Sequence, residues 1–130
     1  MTPGRRPVPD DVRRFVLTSI PSVPYLEAAL LFRAQPALER SASDVARELY
    51  MAEPVVVPLL EALAGAGLVR RIGDGGRYGY GPRDPALAEM LDALAAAYAD
   101  DLIGITNLIH DATQKSALRF ADAFKLRKEP

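Results

Sequence analysis

Residues 41–81 read SASDVARELYMAEPVVVPLLEALAGAGLVRRIGDGGRYGYG, and this stretch decides the fold. Ser41 and Asp44 give an S-x-x-D signal. The serine oxygen accepts an orphan backbone N–H, and the carboxylate sits at the positive end of a helix. Ala42, Val45, Ala46 and Leu49 follow at helical spacing, so a short helix with one apolar face starts here. Tyr50 to Glu53 make a turn, and Pro54 suits a first helical position, where no N–H is needed. Val56, Leu59, Leu60 and Leu63 form the inward stripe of a second helix. Gly65 and Gly67 end it.

A hairpin comes next. Leu68, Val69 and Ile72 begin a strand, Gly73-Asp74-Gly75-Gly76 is a turn signal, and Arg77-Tyr78-Gly79-Tyr80 returns before Gly81-Pro82 breaks the strand. Helix, turn, helix and a glycine-tipped ribbon predict a mainly α fold with a small β-wing, a winged helix-turn-helix.

The stretch resembles the winged-helix domain of MarR-type bacterial transcriptional regulators. The likeness rests on D-V-A-R-E-L from Asp44 to Leu49, L-x-x-x-G-L-V from Leu63 to Val69, and the hairpin. It implies a dimeric, cytoplasmic DNA-binding protein that presents its second helix to the major groove and its wing to phosphates. In that register the outward helix face falls on Pro54, Val55, Val57, Pro58 and Glu61. The chain departs from the family here. Base edges are read by Arg, Lys, Asn, Gln, Ser or Thr, and no basic residue stands between Glu53 and Gly67. An apolar outward face suits a protein partner instead. Pro58 also lacks the N–H owed to position 54, so the first turn is kinked or the helix starts later. Arg70, Arg71, Arg77 and Arg83 are candidates for phosphate contact. The other reading makes them solvated charges that keep a sheet edge from pairing.

Composition narrows the classes. The chain has 130 residues with 16 basic and 17 acidic side chains, a net charge of −1, so overall charge gives no support to nucleic-acid binding. There are no cysteines and a single histidine, His110, which excludes thiolate chemistry and leaves no metal cluster. No apolar run reaches membrane-spanning length, and no cofactor is implied. Nothing resembles a phosphate loop, a catalytic triad or a carboxylate dyad, and Asp100-Asp101 reads as a solvated helix face. No enzyme is expected.

The boundaries expected are a flexible arm over 1–9, a winged domain over 10–83 and a helical region over 84–130. Asp10 opens a short capped helix carrying Val12, Phe15, Val16 and Ile20, and a second helix over 23–34 is apolar around most of its circumference. After the wing, Asp84-Pro85 starts the longest helix, running to about residue 112 and about 40 Å long. Leu87, Leu91, Leu94, Tyr98, Leu102, Ile105, Ile109 and Ala112 follow a near-heptad period, the seam of a helix packed on another. A last helix over 117–126 adds Phe120 and Phe124. The resemblance implies that these terminal helices form a dimerisation arm, with Leu91, Leu94, Tyr98, Leu102, Ile105, Ile109, Phe120 and Phe124 at a homodimer interface.

Overall fold

The computed structural model describes residues 8–113. The elements are α1 (Asp10–Ser19), α2 (Val23–Ala34), β1 (Arg40–Ser41), α3 (Ala42–Leu49), α4 (Glu53–Gly65), β2 (Val69–Ile72), β3 (Arg77–Tyr80) and α5 (Pro85–Asp100). A further helical run, α6, covers 102–113. The protein is mainly helical, with one small antiparallel sheet in the order β1-β3-β2. Residues 24–95 form one compact unit, and the described parts of 1–23 and 96–130 form a second.

In the first unit α3 starts as its sequence dictates. The Asp44 N–H donates to Ser41 Oγ at 3.2 Å, and the Ser41 N–H donates to Asp44 Oδ2 at 2.9 Å. Two orphan donors are thus satisfied reciprocally. Val45 and Ala46 are buried. The helix ends on Tyr50 at φ +56°, a left-handed cap reached without a glycine.

α4 begins at Glu53, so Pro54 is its second residue rather than its first. It runs on through Pro58 without starting later. The carbonyl left without Pro58's N–H is that of Pro54, and both prolines are exposed, so solvent is at hand to replace the missing bond. Val56, Leu60 and Leu63 are buried, with Leu59 half-buried beside them. Gly67, at φ +80°, turns the chain, and the Leu68 N–H reaches back to the Leu63 carbonyl at 3.0 Å.

The hairpin pairs Val69 with Tyr80, Arg70 with Gly79, Arg71 with Tyr78 and Ile72 with Arg77. Its base is tied twice, by the Arg83 N–H on the Gly67 carbonyl at 2.8 Å and the Gly81 N–H on the Leu68 carbonyl at 3.4 Å. β1, absent from the expected elements, adds to the other edge of β3 with Arg40 opposite Tyr78 and Ser41 opposite Arg77. Tyr25, Leu26, Ala28, Ala29 and Phe32 of α2 are buried. They lie at several angles around that helix, as its all-round apolar pattern requires.

In the second unit α1 buries Val12 and Val16, with Ile20 buried just beyond its end. Asp10 is its first helical residue and no side chain caps it, contrary to the expected cap. The single helix expected from 85 to 112 is instead two. α5 stops at Asp100, Asp101 is not helical, and α6 begins at 102. Asp101 Oδ1 accepts the Gly104 N–H at 3.0 Å, so the carboxylate caps a new helix in the middle of an apolar period. The expected helix over 117–126, with Phe120 and Phe124, lies outside the described residues, as does the arm up to residue 7.

Candidate nucleic-acid and protein interface

The hairpin arginines do not form one cluster. Successive residues of a strand face opposite sides, and the register puts Arg70, Ile72, Arg77 and Gly79 on one face and Val69, Arg71, Tyr78 and Tyr80 on the other. Val69 is buried and so is the Tyr80 hydroxyl, which makes the second face the inner one. Arg71, near the tip, has its guanidinium 6.0 Å from the Tyr78 ring centroid, within cation–π range. Arg70 and Arg77 share the outer face. Their side chains do not meet, however: Arg70 lies against Gly81 and Arg77 reaches toward Glu39, while Arg71 and Arg77 both line the hairpin tip.

All four arginines are exposed, and Arg77 and Arg83 have acidic partners. Arg77 Nε lies 3.5 Å from Glu39 Oε1, and its Nη2 donates to the Glu39 carbonyl at 3.4 Å. Arg83 Nε lies 3.5 Å from Asp84 Oδ2, and its Nη1 donates to the Ala66 carbonyl at 3.3 Å. Exposed pairs of this kind contribute little to stability and yield readily to a phosphate. The shallow depression at the hairpin tip, lined by Arg71, Asp74, Arg77 and Tyr78, includes an acidic group that works against an anion there.

On α4 the five residues of the expected outward face all reach solvent. Pro54, Val55, Val57, Pro58 and Glu61 are all exposed, Val55 at 54 % and Val57 at 41 %. Its charged members are Glu53 and Glu61. Tyr50 stands at the α3–α4 turn with 96 % of its surface in solvent. No donor on this face suits a base edge.

The expected dimer seam is placed unevenly. Leu91, Leu94, Ile105 and Ile109 are buried, Tyr98 is half-buried and Leu102 is 54 % exposed. Four of the described members thus have no free surface to offer. His110 is exposed. Among the described residues no group of three His, Cys, Asp or Glu side chains is arranged to hold a metal. No single helix there is long and apolar enough to cross a membrane.

Sequence reasoning missed Arg40, which is 1 % exposed. Its Nε donates to Glu48 Oε2 at 2.7 Å, its Nη2 to Gln35 Oε1 at 2.8 Å, and its guanidinium lies 5.5 Å from the Phe32 centroid. One side chain thus ties α2, the loop after it and α3 to the strand that pairs with Arg77 and Tyr78. Its sequence neighbourhood carries no signal for this, because Phe32 and Glu48 come to it through the fold. Burial raises the pKa of the Tyr80 hydroxyl, and the nearby Asp92 charge raises it further while Arg33 opposes. Arg33 Nε is bonded to Asp92 Oδ1 at 2.9 Å.

No protein-family model, curated protein or solved structure matches the chain.

Proposed function

We propose that residues 41–81 are a winged helix-turn-helix and that the chain is a dimeric, cytoplasmic transcriptional regulator of the MarR-like kind, bound to duplex DNA. The observation that carries this reading is the α3–turn–α4 pair followed by a hairpin that carries exposed Arg70 and Arg77 on its outer face. Phosphate contact supplies most of the affinity of such a surface and is independent of base sequence. α4 contributes shape rather than base recognition, since its outward face has no hydrogen-bonding side chain apart from Glu53 and Glu61.

The test is a titration of a labelled random-sequence duplex at low and at moderate salt, with oligomeric state checked on the same sample. Affinity should fall with salt at a slope of about −0.9 per phosphate contacted. No binding at low salt by a well-folded chain would rule the reading out.

A second reading has its own observation. Val55 and Val57 expose apolar surface on a face with no basic residue, which suits a docking site for another protein. Val57→Asp should abolish such a complex and shift stability by no more than about 0.5 kcal/mol, as for other surface changes. Leu60→Ala, on the buried side, should cost about 2–5 kcal/mol. If Val57→Asp were to unfold the chain as Leu60→Ala does, that face would be core and the docking idea would fail.

A further inference from the structure

Between α5 and α6 the helix stops for a single residue. The Asp101 N–H donates to the Ala97 carbonyl at 2.8 Å, and the Ile105 N–H donates to the Asp101 carbonyl at 3.1 Å. Helical bonds therefore reach Asp101 from one side and leave it on the other. The break is held by the side chain, whose Oδ1 takes the Gly104 N–H. Gly104 is what this geometry requires, because a Cβ there would run into the Asp101 carboxylate.

The apolar period ignores the break. Tyr98, Leu102, Ile105 and Ile109 are spaced 4, 3 and 4, so in an unbroken helix Leu102 lies one turn from both Tyr98 and Ile105. In the broken chain Ile105 and Ile109 are buried, but Leu102 is 54 % and Ile103 61 % exposed. The residues that follow the hinge are the ones left in water.

Straightening the hinge within one chain would carry Ile105 and Ile109 away from their cover. They share a unit with Val12, Val16 and Ile20, and Thr113 Oγ1 at the far end of α6 donates to the Pro21 carbonyl at 3.4 Å. A second copy of the chain removes that cost, since it offers the same bed. We propose that Asp101 is the hinge of a domain swap. In the homodimer each chain's α5 and α6 join into one helix, Leu102 rejoins the apolar period, and α6 seats on the partner copy as it seats on its own. This inference does not depend on DNA binding.

The chain has no cysteine, so spin labels can be placed at will. Ala96→Cys and His110→Cys put them on exposed positions flanking the hinge. Labelled chain diluted into unlabelled chain reports the separation within one protomer by pulsed EPR, while light scattering over a concentration series reports mass. The wild type is expected to show a monomer–dimer equilibrium. In the dimer the 96–110 backbone separation should approach the helical value of about 21 Å.

Asp101→Ala and Gly104→Ala each remove the cap and should tighten the dimer by about thirtyfold, the square of one cap's worth, because every dimer opens two hinges. A short Gly-Ser insertion after Asp101 relaxes the hinge and should give a folded monomer. Three outcomes would overturn the proposal. One is a wild type that stays monomeric at the highest concentration, and another is a dimer whose label separation equals the monomer's. The third is an inserted variant as dimeric as the wild type, and this arm holds even if the two substituted chains fail to fold.

Discussion

Arg40 Nε sits 2.7 Å from Glu48 Oε2, joining a nearly inaccessible guanidinium to a carboxylate that still touches solvent. The two partners are therefore unequal. Removing Glu48 leaves a buried charge facing only the Gln35 amide oxygen and the Phe32 ring, whereas removing Arg40 leaves a carboxylate that water can reach. Glu48→Ala should cost about 2–3 kcal/mol by urea unfolding, and Arg40→Met less. The double variant should be more stable than Glu48→Ala alone. If the two single losses simply add, the pair is not coupled and this account of Arg40 is wrong.

Acid should loosen the start of α3. The Ser41 backbone N–H, then its hydroxyl, hold the Asp44 carboxyl below the ordinary carboxylate range, with smaller help from Arg47 and Arg77. A folded-state pKa below the unfolded one stabilises the fold above the unfolded value, near pH 4, and the contribution fades as pH falls through the folded value. Asp44→Asn has no such titration. The stability difference between wild type and Asp44→Asn should be constant above about pH 5 and should shrink below about pH 4. A difference that stays constant down to the acid transition would show that the capping carboxylate does not titrate with folding.

The pleat sets apart arginines that are adjacent in sequence. Arg70→Ala and Arg77→Ala, on the outer face, should each lower the salt slope of duplex binding by about 1, and Arg71→Ala, on the inner face, by less. Glu39→Ala releases Arg77 from its pair and should tighten binding. Equal losses at Arg70 and Arg71 would mean that duplex does not approach the hairpin by its outer face.

Tyr50 holds φ +56° while almost wholly in solvent. Left-handed backbone costs a non-glycine residue about 1 kcal/mol, and no burial of the ring offsets it. Tyr50→Gly should raise stability by about 0.5–1 kcal/mol in thermal or urea unfolding. If that variant also loses duplex or protein binding, the exposed ring belongs to the contact surface. A fall in stability would mean that the ring has a structural role.

What was legible in the sequence was local. The Ser41/Asp44 reciprocity, the buried stripe of α4 and the hairpin turn through Gly73 to Gly76 each depend on residues a few positions apart. α2 was legible for the same reason. β1 was not, because a two-residue strand is made by its partner β3 rather than by its own propensity. Arg40 reads as a linker charge until Phe32 and Glu48 are brought to it. The break at Asp101 was hidden by a period that continues across it, although an aspartate three residues before a glycine was there to be read as a cap. The outward residues of α4 and the four arginines were identifiable as exposed, but which arginines share a face required the strand register.

The two ties at the base of the hairpin, Arg83 on Gly67 and Gly81 on Leu68, have a consequence for how the chain tolerates change in length. Everything below those ties is fixed in register. Beyond them, the turn over 73–76 is exposed and carries no tertiary anchor that an added residue would break. Insertions should therefore be accepted at the tip and rejected at the base, so in natural variants the hairpin would differ in reach while keeping its angle of departure.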